Sequence, residues 1–330
     1  MEFSRPFFVL NPGGRDPDQD FPDGAGSPER VGHPPVNFHA YAACMRGGFR
    51  KRLAAIPRGS AVLLLLRARH LSGATACARR LREKGCRVFV SWKEAGWFQV
   101  QEALAAPGRW ASLCKLAKFS DGALCPVPEL APLFQAAGFS HSVFLPTPYP
   151  LEEPAWDFSI PLAQREGIFI GTRELRQPRR GHRAALAIAA TLKAPVTVVN
   201  TEGPWGAQMI REIAPQARII SGPLPYPSYL RAMAKARVVF QLDGSRVPGQ
   251  VAGDALLCGM PCAGGDSAIE RLAFPTLASW GREAGEMPSL LKTLLEDDAS
   301  WEQIARDSRK RALANASFSH AQSVMARLIA

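Results

Sequence analysis

The strongest constraint on the fold is the regular alternation of strand-length apolar runs with helical patterns along the chain. In the first half the apolar runs are Phe7 to Asn11, Ala61 to Leu66, Arg87 to Ser91, Gly122 to Val127 and Ser142 to Thr147. Strands separated by helices are typical of parallel sheets covered by helices on both faces. The sequence therefore predicts an α/β protein.

The second half repeats the scheme. Its predicted strands are 168–171, 196–200, 218–220 and 238–242, and its predicted helices are 181–193, 205–213 and 228–236. In the first half the clearest helix has Ser72 as N-cap, runs from Ala74 to Lys84 and ends at Gly85. Another runs from about Val36 to Gly47-Gly48. Both halves are thus expected to be βαβ units.

Chain length and a proline-rich segment predict two domains. The 330 residues exceed the usual size of one hydrophobic core. Between the halves, Pro146, Pro148, Pro150 and Pro154 indicate a stiff extended linker. We expect domains at 1–150 and 151–310, with a last segment 311–330. Two α/β domains meeting there would leave a cleft at the carboxyl ends of both sheets, where ligands usually bind.

Composition favours a cytoplasmic enzyme. Apolar residues make up 47% and charged residues 21% of the chain. The aliphatic run Ala61 to Leu66 is far shorter than the roughly 20 residues of a membrane helix. The N-terminus does not read as a secretory signal. Seven cysteines without a C-x-x-C pair indicate reduced, mostly buried thiols, and they predict no metal.

The net charge of +11 suits an anionic partner, either a phosphorylated substrate or a lipid surface. The alternative is that arginine richness serves only solubility. The densest basic patch, Arg46 to Arg52, contains Phe49 and could rest on an anionic membrane; otherwise it is a solvated helix end. No recognition motif points to nucleic acid.

Two segments of the second half carry the chemistry. In the first, a predicted strand ends at Gly171, a basic loop follows with Arg173 and Arg180, and a helix begins near Gly181. Guanidinium groups beside a helix N-terminus suit a diphosphate. The alternative is that these arginines are merely solvated in an exposed loop.

The second segment runs from Arg246 to Gly265. A strand end leads into a turn with Gly249 and Gln250, a short apolar helix with Asp254, and then Gly-Met-Pro. Such a turn presents backbone N–H groups to an anion. The sequence shows no obvious partner for Asp254, and a lone buried acid is costly, which favours a functional role.

Together these segments resemble the donor site of GT-B-fold glycosyltransferases, especially the retaining family 4 (group 1) enzymes. The resemblance implies two Rossmann-like domains facing a central cleft, with a C-terminal helix within 311–330 that crosses back to the first domain. It also implies that the donor is a nucleoside diphosphate sugar and that no further cofactor is needed.

The resemblance assigns roles to individual residues. Arg173 and Arg180 fill the Arg and Lys places that contact the donor diphosphate. Gly249 keeps the glycine of the paired-acid motif, and Asp254 holds the second acidic place, which is associated with the ribose. Arg246 occupies the first acidic place, which reverses the charge where the family contacts the transferred sugar. A carboxylate there could come instead from Asp243 or Asp266.

In the first domain the candidates follow predicted strands. Gly13 and Gly14 resemble the loop that approaches the donor phosphates and the acceptor. Glu94 lies after a strand and could act as general base or bind an acceptor hydroxyl; otherwise it is a solvated acid. Asp16, His39 and His70 are weaker base candidates. The acids from Asp16 to Asp23 lack the glycine and closing glutamate of a calcium loop, so no metal is predicted.

The predicted function is transfer of a sugar from a nucleoside diphosphate sugar to a hydroxyl acceptor. The acceptor would be a glycan or a lipid-linked molecule, as in cell-envelope polysaccharide synthesis, on the cytoplasmic side and with possible peripheral membrane contact. Two alternatives stay open: a nucleotide-sugar epimerase or hydrolase, and a binding protein without catalysis. A dinucleotide oxidoreductase is disfavoured because no G-x-G-x-x-G follows a strand.

Overall fold

The chain divides into two units, each built around its own sheet. The first unit holds Met1–Pro150 and Ala316–Ala330, and the second holds Leu151–Asn315. The structure, a computed structural model, describes residues 5–29, 32–67, 70–93, 96–171 and 174–329.

The first unit contains a seven-stranded sheet with helices between its strands. Its strands are β1 (Phe7–Leu10), β2 (Gln19–Asp20), β3 (Gly48–Arg50), β4 (Ala61–Leu66), β5 (Arg87–Trp92), β6 (Gly122–Cys125) and β7 (Ser142–Phe144). Its helices are α1 (Phe38–Cys44), α2 (Leu71–Glu83), α3 (Trp97–Ala105), α4 (Arg109–Ala117) and α5 (Leu130–Ala136). The spatial order is β2-β3-β1-β4-β5-β6-β7; among the strands of the described residues, β2 is antiparallel to its neighbour and the other pairs are parallel.

Strand β4 shows why the sequence folds in this way. All its residues are buried, and it pairs in parallel with β1 on one side and β5 on the other. A strand covered on both faces reads as a continuous apolar run instead of an alternating one. The predicted run Ala61 to Leu66 is confirmed with the same bounds.

The basic patch around Phe49 is the main error of the sequence analysis. Gly48–Arg50 is strand β3, which lies between β2 and β1, and Phe49 is 0% exposed. The Arg50 guanidinium bonds to Asp20 at 2.5 Å and lies over the ring of Phe8. Phe49 is therefore a core residue, and neither a membrane anchor nor part of a solvated helix end.

Helix α2 also differs in its start. The prediction placed Ser72 at the N-cap, but the helix begins at Leu71 and His70 takes the N-cap position. Its end is as predicted, because Gly85 follows in the left-handed region with φ 74°.

The second unit contains a five-stranded parallel sheet. Its strands are β8 (Ile168–Ile170), β9 (Val196–Asn200), β10 (Arg218–Ser221), β11 (Val238–Phe240) and β12 (Cys262–Ala263). Its helices are α6 (His182–Ala190), α7 (Gly203–Ile213), α8 (Tyr226–Ala234), α9 (Gln250–Leu257), α10 (Ala268–Ala273), α11 (Met287–Glu296) and α12 (Asp298–Ala316). The order β10-β9-β8-β11-β12 has its topological switch point between β8 and β11, as in a doubly wound fold.

The last helix, α13 (Phe318–Ile329), belongs to the first unit. Gln322 bonds to the carbonyl of Cys44 at the end of α1, and Arg87 bonds at 2.7 Å to the carbonyl of Ile329. The chain therefore returns to the first unit after the second, which confirms the expected crossing of the C-terminal helix.

The proline-rich segment at the boundary is packed. Tyr149 is 0% exposed, and its amide bonds to the carbonyl of Ala316 at 2.7 Å. The Tyr41 hydroxyl donates to the carbonyl of Leu145 at 2.8 Å. The segment before Leu151 is thus held by the first unit and is not a solvated spacer.

In the second unit, Arg165 ties three segments together. Its guanidinium donates to the carbonyls of Ile160, Ala234 and Cys258 at 3.0, 2.9 and 2.8 Å. The residue is 5% exposed, and burial lowers the pKa of the guanidinium. It also lies over the ring of Trp301. One planar side chain thereby satisfies carbonyls at the ends of α8 and α9.

We expect Arg165→Met to destabilise the protein by about 3 kcal/mol, because three carbonyls lose a charged donor at a buried site. Arg306→Met is the matched control, since Arg306 is exposed on α12 and its loss should change stability by less than about 0.5 kcal/mol. Urea unfolding measures both variants. Equal unfolding midpoints for Arg165→Met and the wild type would contradict this role.

Candidate functional site

The predicted donor residues gather at the carboxyl edge of the second sheet. Gly171 follows β8, Asp243 follows β11, and Asp266 follows β12. Helices α6 and α9 begin at the same edge, after Gly181 and Gly249. Parallel strands place all these loops on one side, which is where α/β domains bind ligands.

Gly181 is required by a close approach. Its φ is 62°, and a Cβ atom would lie 2.2 Å from the carbonyl oxygen of Leu242. Only glycine adopts this conformation so close to another backbone without strain. The first turn of α6 is therefore pressed against the end of β11.

Arg180, predicted to hold a diphosphate, is ordered by two carboxylates. It donates to Asp243 at 2.6 Å and to Glu174 at 3.0 Å. Burial alone would lower the pKa of Arg180, but the charges of Asp243 and Glu174 raise it above its ordinary value. The guanidinium is thus fixed at the sheet edge, and part of its charge is already compensated.

Gly249 and Gln250 form the start of α9. Gly249 has φ 99°, and a Cβ atom there would lie 2.1 Å from Oγ of Ser267. Gln250 is the first residue of the helix and is half-buried. The N-cap residues of α6 and α9 are Gly181 and Gly249, which have no side chain with which to cap the first turn. Helix N-termini of this kind suit an anionic ligand.

Asp254 has a partner that the sequence did not reveal. Its side chain is on α9, 1% exposed, and accepts a 2.5 Å hydrogen bond from the hydroxyl of Tyr226 on α8. The argument that Asp254 is a lone buried acid is therefore wrong. Tyr226 is the more exposed member of the pair, and its ring stacks on Tyr229, whose hydroxyl is 3.4 Å from the carbonyl of Gly171.

Arg246 has an unusual backbone and a fixed side chain. Its φ is 49°, and its amide donates to Asp266 at 3.0 Å. The guanidinium is 3.6 Å from the second oxygen of Asp266 and lies over the ring of Trp280. Burial raises the pKa of Asp266, although contacts with Arg246 and Arg271 oppose that rise. Arg246 and Asp266 thus form an ion pair at the place where the sequence resemblance expects an acidic residue.

The other predicted residues fall elsewhere. Gly13, Gly14 and Asp16 are in the first unit, after β1. A Cβ atom on Gly14 would lie 2.2 Å from the side-chain nitrogen (Nδ2) of Asn11, so this glycine is needed for packing. The predicted base Glu94 and the predicted phosphate ligand Arg173 lie outside the described residues.

Sequence reasoning missed Asn11, Tyr226 and Glu270. Asn11 is 0% exposed at the end of β1; it accepts from Arg67 at 3.1 Å and donates to Asp16 at 3.3 Å. A polar residue directly after a buried strand was the available signal for Asn11. For Glu270, the Ser267-x-x-Glu270 spacing of a capping box was the signal.

Glu270 is a buried carboxyl beneath the loop that follows β12. It is 0% exposed, accepts from the amide of Ser267 at 2.7 Å, and contacts Gln241 and the thiol of Cys262. Burial raises its pKa to about 7. A Cβ atom on Gly265 would lie 2.4 Å from either carboxyl oxygen, so the loop rests directly on this group.

Neither a metal cluster nor a membrane span is found in the described part of the chain. No three His, Cys, Asp or Glu side chains there group so as to hold a metal ion. No helix there has the length and apolar character needed to cross a membrane. All seven cysteines are free thiols.

No family model matches the chain, and no curated protein sequence matches it. Solved structures share its fold. A trehalose-6-phosphate synthase aligns with a TM-score of 0.63 at 11% identity, over 84% of this chain and 73% of that one. The corresponding synthase of Burkholderia multivorans aligns with a TM-score of 0.63 at 12% identity, over 88% and 75%. The GtfA/B complex aligns with a TM-score of 0.58 at 13% identity, over 84% and 58%.

At these identities the likeness shows the fold. The chain is an α/β protein with two Rossmann-like domains, the architecture of the GT-B glycosyltransferases that it resembles in structure. The predicted fold class is confirmed. Assignment to family 4 remains a prediction.

The buried Glu270 should make stability depend on pH. The unfolded carboxyl ionises near 4.5, whereas the folded one keeps its proton to about 7, so folding takes up a proton between these values. Stability should therefore fall as pH rises from about 5 to 8, by at most about 3 kcal/mol.

Urea unfolding of the wild type and Glu270→Gln across that range measures the effect. The variant has no ionisable group at this position and should lose that part of the pH dependence. Glu302→Gln, on the exposed face of α12, is the matched control and should keep it. The same pH profile for wild type and Glu270→Gln would refute the assignment.

Proposed function

We propose that the protein is a glycosyltransferase that moves a sugar from a nucleoside diphosphate sugar to a hydroxyl acceptor. The observation that carries the proposal is the carboxyl edge of the second sheet. There, two helices begin after left-handed glycines, Gly181 and Gly249, and a fixed guanidinium, Arg180, lies at the same edge. Helix N-termini together with an arginine are a suitable environment for a diphosphate.

In this proposal Arg180 stabilises the charge that develops on the departing diphosphate. Asp243 and Glu174 hold the guanidinium in one orientation before the donor arrives. A preorganised donor of this kind costs no rearrangement when the charge develops. Arg173 is proposed as a second phosphate ligand, following the resemblance. Because the charges come from arginine and backbone amides, we propose a reaction that needs no metal.

We propose that the ribose contacts the hydroxyl of Tyr226 and does not contact Asp254 directly. Asp254 is 1% exposed and accepts a hydrogen bond from Tyr226, which is only partly buried. A phenol both donates and accepts, so it can donate to Asp254 while accepting from a ribose hydroxyl. The acid then acts through the tyrosine, which it keeps oriented.

The first unit is proposed to bind the acceptor. Gly13 and Gly14 follow β1, and Asp16 lies in the same loop, bonded to Asn11 and 3.9 Å from Lys93. An acid that already has these partners is a poor general base, so Glu94 is the preferred base. A glycan or lipid-linked acceptor on the cytoplasmic side, with peripheral membrane contact and a role in cell-envelope polysaccharide synthesis, is part of the proposal.

One observation favours a second candidate, a nucleotide-sugar-binding protein without turnover. Arg246 places a cation, paired with Asp266, where the resemblance expects an acid beside the transferred sugar. Release of nucleoside diphosphate from a donor sugar in the presence of an acceptor separates the candidates. Tight binding without release supports the second candidate, and free sugar formed without acceptor indicates a hydrolase or epimerase.

Nucleoside diphosphates should stabilise the protein in the absence of added metal. With UDP, GDP, ADP and CMP in parallel, one nucleoside diphosphate should raise the melting temperature, because ligand at a hundred times its dissociation constant adds about 2.7 kcal/mol. NAD serves as the negative control. Arg180→Gln should weaken that binding at least about tenfold, since a charged hydrogen bond is lost.

Arg211→Gln is the matched control, an exposed arginine on α7 in the same unit, and it should bind like the wild type. No shift with any nucleoside diphosphate would remove the donor-site assignment. A shift that survives Arg180→Gln unchanged would remove Arg180 from it.

Tyr226→Phe should reduce selectivity for ribose. The variant keeps the ring but loses the hydroxyl, so affinity for the preferred nucleoside diphosphate should fall about fivefold. The same substitution should lower the affinity for at least one of two analogues, the 2′-deoxy or the 3′-deoxy form of that nucleotide, by a smaller factor. Calorimetric titration measures both, with Tyr229→Phe as control. Wild-type selectivity in Tyr226→Phe would show that the tyrosine does not contact the ribose.

A further inference from the structure

A pocket of about 240 Å³ opens in the first unit, at the carboxyl edge of its sheet. Pro12 and Gly13 line it from the loop after β1, Leu65 and Arg67 from the end of β4, and His70 and Gly73 from the start of α2. Most of this wall is apolar, and Arg67 is the cationic group in it. The pocket belongs to the first unit, whereas the residues proposed to bind the donor belong to the second.

Arg67 has an unsatisfied donor at this pocket. Its Nε is buried, and in the described part of the chain it has no hydrogen-bond partner. Its Nη2 donates at 3.1 Å to the side-chain oxygen of Asn11, a neutral acceptor. A buried charged donor without an acceptor is costly, and an anionic oxygen placed in the pocket would satisfy it.

The surroundings hold Arg67 without neutralising it. Asn11 is 0% exposed and bonds to both Arg67 and Asp16, so it fixes the guanidinium. The carboxylate of Asp16 is 3.9 Å from Lys93, which compensates it. Among the residues that the structure describes, no carboxylate forms an ion pair with Arg67. The charge of the guanidinium is thus left for a ligand.

The backbone keeps the pocket open. Gly13 has φ 69°, and no atom of the described residues lies within 4 Å of where its Cβ would be. Gly73 lies in the first turn of α2, whose positive dipole end adds to the potential from Arg67. A side chain at Gly13 would be strained there and would narrow the entrance.

We propose that this pocket binds a phosphate or carboxylate group of the second substrate, so that the acceptor is an anionic molecule. That the anion belongs to the acceptor rests on the proposed glycosyltransferase function. The anion site itself rests on the pocket and on Arg67. The volume is below the range of pockets that enclose a whole drug-sized ligand, so it suits one charged group or a monosaccharide phosphate.

Calorimetric titration with inorganic phosphate and with a hexose 6-phosphate tests the site. The wild type should bind both, and Arg67→Gln should weaken binding at least tenfold, while Arg67→Lys retains part of it. Arg79→Gln, on the exposed face of α2, is the matched control and should bind like the wild type. Unchanged binding in Arg67→Gln, or no binding by the wild type at millimolar phosphate, would overturn the proposal.

Two further measurements identify the source of the anion and separate this proposal from the previous one. Neutral vesicles with and without a polyprenyl phosphate, compared with the hexose phosphate, show whether the group is carried by a lipid or by a soluble sugar. Arg67→Gln should bind the preferred nucleoside diphosphate like the wild type, which also shows that it is folded. Loss of nucleotide binding in Arg67→Gln would contradict an acceptor site that is independent of the donor site. If the wild type binds phosphate but no nucleotide, only the donor assignment is refuted.

Discussion

Parallel strand pairing is the constraint on which the rest of this structure depends. A parallel pair needs a crossover connection, and strands that run parallel in a sheet end at the same edge. In the second unit this brings the loop with Gly171 and Gly181 to the same sheet edge as Gly249, which lies far along the chain. In the first unit it places Gly13 and Arg67 in the wall of one pocket. Both candidate sites are consequences of strand direction before any side chain is considered.

The same constraint explains which elements could be predicted from the sequence. Strand β4 was predicted with its observed bounds because burial on both faces requires an uninterrupted apolar run. Strand β9 was also predicted with its observed bounds, although it contains the half-buried Thr197 and ends at Asn200. Strand β3 could not be found in this way. It has three residues, ends in an arginine, and is a strand only because β1 and β2 supply its hydrogen bonds. The strands that pair with β3 lie many residues away in the chain, so the local composition alone indicated a basic surface patch.

The sequence could predict the residue types at the candidate donor site, but it could not predict which side chains bond to one another there. Glycines before helices and arginines in the loop after β8 predicted a site at the carboxyl edge of the second sheet, and the structure places Gly171, Gly181 and Arg180 at that edge. The pairs Tyr226–Asp254 and Arg180–Asp243 are 28 and 63 residues apart, however, and each changes what its members can do. The acid expected to contact the ribose is bonded to a tyrosine hydroxyl, and the arginine expected to hold a diphosphate is bonded to an acid. Such contacts depend on tertiary packing, which sequence spacing does not encode.

The two units differ in how they hold their arginines, and this difference argues for different ligands. Arg180 is paired with Asp243 and Glu174, so a diphosphate bound there must draw on the amides of α6 and α9 as well as on the guanidinium. Arg67 donates to the neutral side-chain amide of Asn11, which does not offset the positive charge of the guanidinium. A multiply charged ligand with several oxygens suits the site around Arg180, because several donors there can each bond to a different oxygen. A single anionic group suits the site around Arg67, where one guanidinium supplies most of the attraction. The division of charge within each unit therefore supports a donor diphosphate on the second unit and a small anionic acceptor on the first.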